Sequence, residues 1–231
     1  MLNNMRLQVF LRNKGLGSRR YCDQLVQNHG VSVNGRTVTT PTVRLKPGDR
    51  ININNQLFIY KDQKADNIYL KYFKPAGIIC SRRAQSNSKT VFDMLTGYKK
   101  YMDRLILGGR LDKPSRGLLL ISTDGNFINQ NTHPSRGHRK KYIVKTSFKI
   151  NNKAVAKLSQ GFSLQGIAYR PFNYKLSGPR KIIIYITEGK KHEVRQIIKA
   201  AGNRVTDLLR TAIGSYALAD MAEGEIRQIK P

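Results

Sequence analysis

Apolar positions recur at helical spacing in two short stretches near the start of the chain and then give way to alternation. In residues 5–15, MRLQVFLRNKG, the positions Leu7, Val9, Phe10 and Leu11 mark one face of a short amphipathic helix ending at Gly15. Ser18 is placed to cap a second helix through RRYCDQLVQNHG, whose apolar stripe is Tyr21, Cys22, Leu25 and Val26 and whose stop is Gly30. Val31 and Val33, a turn at Asn34-Gly35 and a return strand then predict a hairpin. LKPGDRININ repeats the device, with a turn at Pro47-Gly48-Asp49 before a strand holding Ile51 and Ile53. These elements close a first unit over residues 1–60, and the polar run KDQKADN, 61–67, reads as a linker.

The second unit, 68–231, is richer in strands. Strands are predicted at 68–73, 77–81, 118–123, 141–148 and 181–187. Val194, Ile197, Ile198 and Ala201 recur at helical spacing before Gly202 and predict a helix over 191–201. Segment 82–104 reads as loop with a short helix around Val91 to Leu95. No internal repeat or low-complexity tract interrupts the pattern. The fold class is α+β: a small helix-helix-hairpin domain followed by a mixed, mainly antiparallel sheet domain.

Charge narrows the partners. The chain carries 42 Lys and Arg against 14 Asp and Glu, a net charge of +28. An apolar fraction of 39% with eight Phe and eleven Tyr is enough for a packed core, which excludes a disordered basic tail. Such charge points to a polyanion, nucleic acid being the commonest. A membrane surface would attract it too, but no run of 18 apolar residues is present and the cations spread along the whole length. Cys22 and Cys80 have no Cys or His partner at zinc-finger spacing, so they read as ordinary thiols of a reducing compartment, with no metal site expected. The acid-free first twenty residues would suit a transit peptide, but they fit the folded module that starts at Met5.

The first unit resembles the small RNA-binding domain named after ribosomal protein S-four. The residues that carry the resemblance are Met5 to Leu7, Ser18-Arg19-Arg20, Val31-Ser32-Val33-Asn34-Gly35 and Lys46-Pro47-Gly48-Asp49. Ten Lys or Arg against three Asp fall within residues 1–62. Arg12, Lys14, Arg19 and Arg20 crowd the corner between the helices, where phosphates can meet them together with exposed backbone amides. Arg6, Ser18 and Asn34 complete the expected RNA-binding set. This constellation reads shape and phosphate rather than base sequence.

The most informative segment is GRLDKPSRGLLLISTDG, 109–125, where Asp112 sits between Arg110 and Lys113 ahead of an apolar run. It resembles the signature of pseudouridine synthases. FKPAGIICS (73–81), THPSRGHRKKYIVKT (132–146), EGKKHEVRQI (188–197), VTDLLRTAIG (205–214) and EGEIR (223–227) follow in the order of the ribosomal RNA branch described by its members RsuA and RluB. Two positions depart from the family pattern: Glu193 stands where Gln is usual, and Ser115 replaces the commoner Thr.

The resemblance implies isomerisation of uridine in ribosomal RNA, the large subunit's being favoured by the KP-x-G-xx-CSRR stretch and VFDML. The reaction detaches uracil, rotates it and rejoins it through carbon, so no cofactor is implied. Asp112 would attack the sugar or abstract a sugar proton, and neighbouring cations should keep it ionised. Arg195 would pair with it, and Tyr142 would stack on a flipped-out uracil. Arg110 would fill the vacated stack or hold phosphate, Leu208 would pack on the base, and Lys190 joins the substrate-binding set. His133 and His192 are expected in loop or phosphate-side roles. The partner is ribosomal RNA or a ribosome-assembly intermediate, met by a cytoplasmic monomer without membrane contact. The competing reading is a non-catalytic ribosome-assembly protein that binds RNA.

Overall fold

The computed structural model describes residues 5–28, 30–61, 66–82, 84 and 88–231. The chain divides into two compact units, residues 1–66 and 67–231. Most of the expected linker, residues 62–65, lies outside the described residues.

In the first unit, α1 (Leu7–Asn13) and α2 (Arg19–Gln27) precede β1 (Val31–Val33), β2 (Arg36–Thr37), β3 (Arg50–Ile53) and β4 (Gln56–Ile59). The strands form an antiparallel sheet in the order β2-β1-β3-β4. The Ser18 hydroxyl caps α2 by accepting from the Tyr21 amide at 3.2 Å. Asn34 and Gly35 both adopt positive φ, 52° and 79°, as a two-residue hairpin of right-handed twist demands. Leu7, Phe10, Leu11, Cys22, Val26, Leu45, Ile51 and Ile53 make the core. Tyr21 departs from the expected stripe: it is 53% exposed, because its position in the first turn of α2 lays the ring over Gly17 rather than beside Cys22 and Val26.

The second unit is built on a nine-stranded sheet. Its elements are β5 (Tyr69–Lys74), β6 (Ile106–Gly108), β7 (Arg116–Ser122), α3 (Gly125–Thr132), β8 (Lys140–Thr146), α4 (Asn152–Ser159), β9 (Phe162–Leu164), β10 (Ile167–Tyr169), β11 (Asn173–Leu176), β12 (Lys181–Ile186), α5 (Glu193–Ala200), β13 (Val205–Ile213), β14 (Tyr216–Ala217) and β15 (Ile226–Gln228). The sheet runs β11-β12-β8-β13-β7-β5-β15, with β14 beside β13 and β6 beside β7, while β9 and β10 form a separate ribbon. All pairs are antiparallel except β13 with β7. The fold is the expected α+β class with a mixed, mainly antiparallel sheet.

Three packed clusters hold this sheet. Val155 of α4 and Val194, Ile197 and Ile198 of α5 cover Val144, Ile182 and Ile184. Phe127 and Ile128 of α3 pack with Phe73, Leu118 and Leu120, whereas Leu119 and Ile121 meet Val91, Leu95 and Leu105. The period-2 pattern of β7 therefore buries both faces, which is why it reads as a continuous apolar run.

Three expectations change. Residues 77–81 form no strand: the buried Lys74 ammonium donates to the Pro75 and Ile78 carbonyls, both at 2.8 Å, and folds the segment back. Only a single bridge, Ile79 to Thr90, remains of the pairing. The helix near Val91 is a short 3-10 turn, Phe92–Met94. The helix expected from residue 191 starts at Glu193, because His192 takes a left-handed backbone with φ 56°.

Candidate active site

Asp112 lies in a tight turn anchored on both sides. Leu111 is buried, and its amide donates to the Cys80 sulfur at 3.4 Å. Ser115 is 1% exposed, and its amide donates to the Asp112 carbonyl at 3.0 Å. The Lys113 carbonyl accepts from the Gly77 amide at 2.8 Å, so the loop after Lys74 braces the same turn. The Asp112 side chain is left about one third exposed.

Helix α5 aims at this carboxylate. Burying Val194, Ile197 and Ile198 turns Arg195 toward the turn. Its Nε stands 3.9 Å from Asp112 Oδ2, and its Nη2 donates to the Ser115 hydroxyl at 3.0 Å. His192 Nε2 stands 3.5 Å from the other oxygen, Oδ1. Arg195 Nε is buried with no hydrogen-bond partner among the described residues, so the ion pair is a charge contact and not a hydrogen bond.

Around the pair opens a cleft of about 250 Å³, lined among others by Arg110, Asp112, Ser115, Tyr142, Lys190 and Leu208. Of the six expected site residues of this unit the structure brings five together, Arg110, Asp112, Tyr142, Lys190 and Leu208, and Arg195 joins them through Asp112. Tyr142, 6% exposed, and Leu208, 4% exposed, belong to the core and to the cleft wall at once. Arg110 is exposed. Lys190 is engaged within the fold: its Nζ pairs with Glu188 at 3.0 Å, donates to the Ala168 carbonyl and lies 5.3 Å from the Tyr169 ring centroid.

Two cleft groups, Arg210 and Lys140, had escaped the sequence reading, and two that it named, Glu193 and His192, join them on the cleft. Arg210 is 2% exposed, donating through Nε to the Leu118 carbonyl at 2.8 Å and through Nη1 to the Tyr142 hydroxyl at 3.5 Å. Its Nη2 has no partner among the described residues. Lys140 is buried, and its Nζ donates to the Glu188 carbonyl at 3.0 Å. Burial first, then the Arg210 charge, lowers its pKa. Glu193 is 5% exposed, and its pKa is pushed up to about 7, first by burial and then by the neighbouring Glu188. His192, named for a loop or phosphate-side role, faces Asp112 from the loop before α5. The available signal was an Arg inside the apolar stretch DLLRTAI and two acids flanking a basic loop.

In the first unit, Arg6, Lys14, Ser18, Arg19, Arg20 and Asn34 are exposed and Arg12 is half-buried. Arg12 donates to Asn13 Oδ1 at 2.8 Å, and Lys14 sits over the Phe10 and Phe58 rings. Asn34 is a fold clamp: its Nδ2 donates to Asp49 at 2.8 Å and its Oδ1 accepts from the Arg50 amide at 2.9 Å. Among the described residues no group of three or more His, Cys, Asp or Glu is placed to hold a metal. No helix among them is long and apolar enough to cross a membrane.

Residues 68–200 match the RNA pseudouridylate synthase family, and residues 5–51 match the S4 domain. A ribosomal large subunit pseudouridine synthase B of Salmonella typhi is 34% identical, over 92% of this chain and 75% of its own length. One of the same name from Bacillus subtilis (strain 168) is 30% identical, over 98% of this chain and 92% of its own. A crystal structure of a pseudouridylate synthase superposes with a TM-score of 0.68 at 25% identity, covering 98% of this chain and 96% of that one. With a matching family over most of the sheet domain and relatives of that activity along nearly its whole length, the chain belongs to the RNA pseudouridylate synthase family and is an isomerase carrying an N-terminal S4 domain.

Proposed function

We propose that this protein converts uridine to pseudouridine at a defined position of large-subunit ribosomal RNA, with Asp112 acting on the ribose of a nucleotide drawn out of its stack. The observation that carries the proposal is the Asp112 carboxylate on the cleft, faced by Arg195 at 3.9 Å and His192 at 3.5 Å. The names of the two curated relatives support the RNA class.

The chemistry balances without a co-reactant. The bond from N1 to C1′ breaks, a bond from C5 to C1′ forms, C5 loses a proton and N1 gains one. Asp112 acts either as nucleophile at the sugar or as base toward a sugar proton, and both use the carboxylate in the same place. Arg195 orients it. Tyr142 and Leu208 bracket the base, and the unpartnered Arg210 Nη2 offers a donor from the cleft wall. Unstacking the nucleotide costs roughly a few kcal/mol, which a stacking aromatic worth ~1–3 kcal/mol offsets. Arg110, exposed beside the cleft, takes the vacated stack or a phosphate. In the S4 domain Arg6, Arg12, Lys14, Ser18, Arg19 and Arg20 serve phosphate contact. The protein works as a cytoplasmic monomer.

Asp112→Ala should abolish pseudouridine at that position of ribosomal RNA from a complemented deletion strain while RNA affinity changes less than about threefold. Wild-type product from Asp112→Ala would end the catalytic reading. Unmodified RNA in both strains, together with an assembly defect in the deletion, would favour a non-catalytic assembly protein.

A further inference from the structure

Two of the chain's few acids close one loop at the cleft, with Glu193 on its wall. Glu188 and Glu193 are 7% and 5% exposed and stand at the two ends of the loop joining β12 to α5. Both carboxylates converge on Lys190, Glu188 on its Nζ and Glu193 on its amide. Glu188 is well supplied: it accepts from the Arg170 amide at 2.9 Å and pairs with Lys190 Nζ at 3.0 Å and Arg170 Nε at 3.8 Å. Glu193 accepts from the Lys190 amide at 2.9 Å.

Two carboxylates drawn onto one residue at such burial hold one proton between them, since both charges cannot persist side by side out of water. The cations and amide around Glu188 assign that proton to Glu193. The remaining charged groups about the pair are Lys140 from β8, His192 within the loop and, on the same cleft, Asp112 and Arg210. Lys140 Nζ is spent on the Glu188 carbonyl.

The loop so closed carries the groups that face Asp112. His192 precedes Glu193 and holds a left-handed backbone, φ 56°, that a residue with a side chain keeps only when its surroundings impose it. Arg195 follows two residues later in the first turn of α5. The structure assigns to Glu188 and Glu193 the role of a positioning clamp, closed by one shared hydrogen, that holds His192 and Arg195 on Asp112. This rests on Asp112 being the reacting carboxylate. Opening the clamp by deprotonation releases both partners and imposes an alkaline limit on the reaction.

The test is the pH dependence of single-turnover pseudouridine formation at saturating RNA, from pH 6 to pH 9, with RNA affinity measured in parallel. Glu193→Gln supplies an amide hydrogen where the shared proton was. Its ratio of rate at pH 8.5 to rate at pH 6 should exceed the wild-type ratio at least fivefold. Glu188→Gln supplies the hydrogen from the other side and should flatten the same limb, which guards against one variant failing to fold. Superimposable wild-type and variant profiles overturn the clamp. So does an equal loss of rate at every pH in both variants. Asp112→Ala separates the two readings: if it is active, the catalytic assignment falls; if it is inactive while Glu193→Gln keeps the wild-type profile, only the clamp falls.

Discussion

At the scale of single residues, the arrangement depends on how Arg195 divides its guanidinium. One nitrogen donates to Ser115 and another faces Asp112 at a distance too long for a hydrogen bond. An ion pair at about 4 Å contributes roughly 1 kcal/mol in water and about 4 kcal/mol at the effective dielectric of a partly buried site. The side chains are only 26% and 34% exposed, so the intermediate value applies. Arg195→Met should therefore lower kcat about tenfold to a hundredfold while KM changes little, because the turn holding Asp112 keeps its other anchors. A loss confined to KM would make Arg195 a phosphate contact instead.

Among elements, β7 and β13 decide where the site forms. Among the described residues they are the one parallel strand pair of the sheet, and Gly117 is paired with Arg210 there. A Cβ on Gly117 would fall 2.3 Å from the Arg210 carbonyl oxygen, and the residue holds φ 125°, so both space and backbone exclude a side chain. The same close approach carries the Arg210 side chain to the Leu118 carbonyl and the Tyr142 hydroxyl. Gly117→Ala should destabilise the protein by about 2–4 kcal/mol by denaturant unfolding, the range of a strained or overpacked core position. A change below about 0.5 kcal/mol would show that the crossing can relax.

For the whole molecule, the buried ionisable groups give stability a defined course with pH. Glu193 has its folded pKa raised from 4.5 to about 7, so its favourable protonated state is complete below pH 4.5 and is lost as pH rises through 7. That loss is on the order of 3 kcal/mol. Lys74, fully buried, is lowered by burial from 10.5 to about 8, so stability recovers as pH climbs from 8 toward 10.5. Asp207, held below its usual range by its bond to Arg116, gives up its contribution only in acid. Thermal unfolding should thus show Tm falling between pH 5 and pH 7.5, and Glu193→Gln should remove most of that fall. An unchanged slope in the variant would place the titration elsewhere.

The sequence by itself determined what local order can encode. The Asn34-Gly35 turn, the Ser18 cap, the helix packing Val194, Ile197 and Ile198, and the run that became β7 all follow from neighbours a few residues apart. So did the family and its isomerase activity, because an ordered set of short motifs survives in one dimension. Tertiary structure alone decided the rest. VTDLLRTAIG became a central strand whose buried Arg210 reaches the cleft, and residues 77–81 lost their strand to a lysine that folds them back. The placing of His192 on Asp112 arises where loops distant in sequence converge, and the drawing of Glu188 and Glu193 onto Lys190 arises where one loop closes on itself. A charge's partners and its exposure to water are set by that convergence, which no periodicity along the chain records.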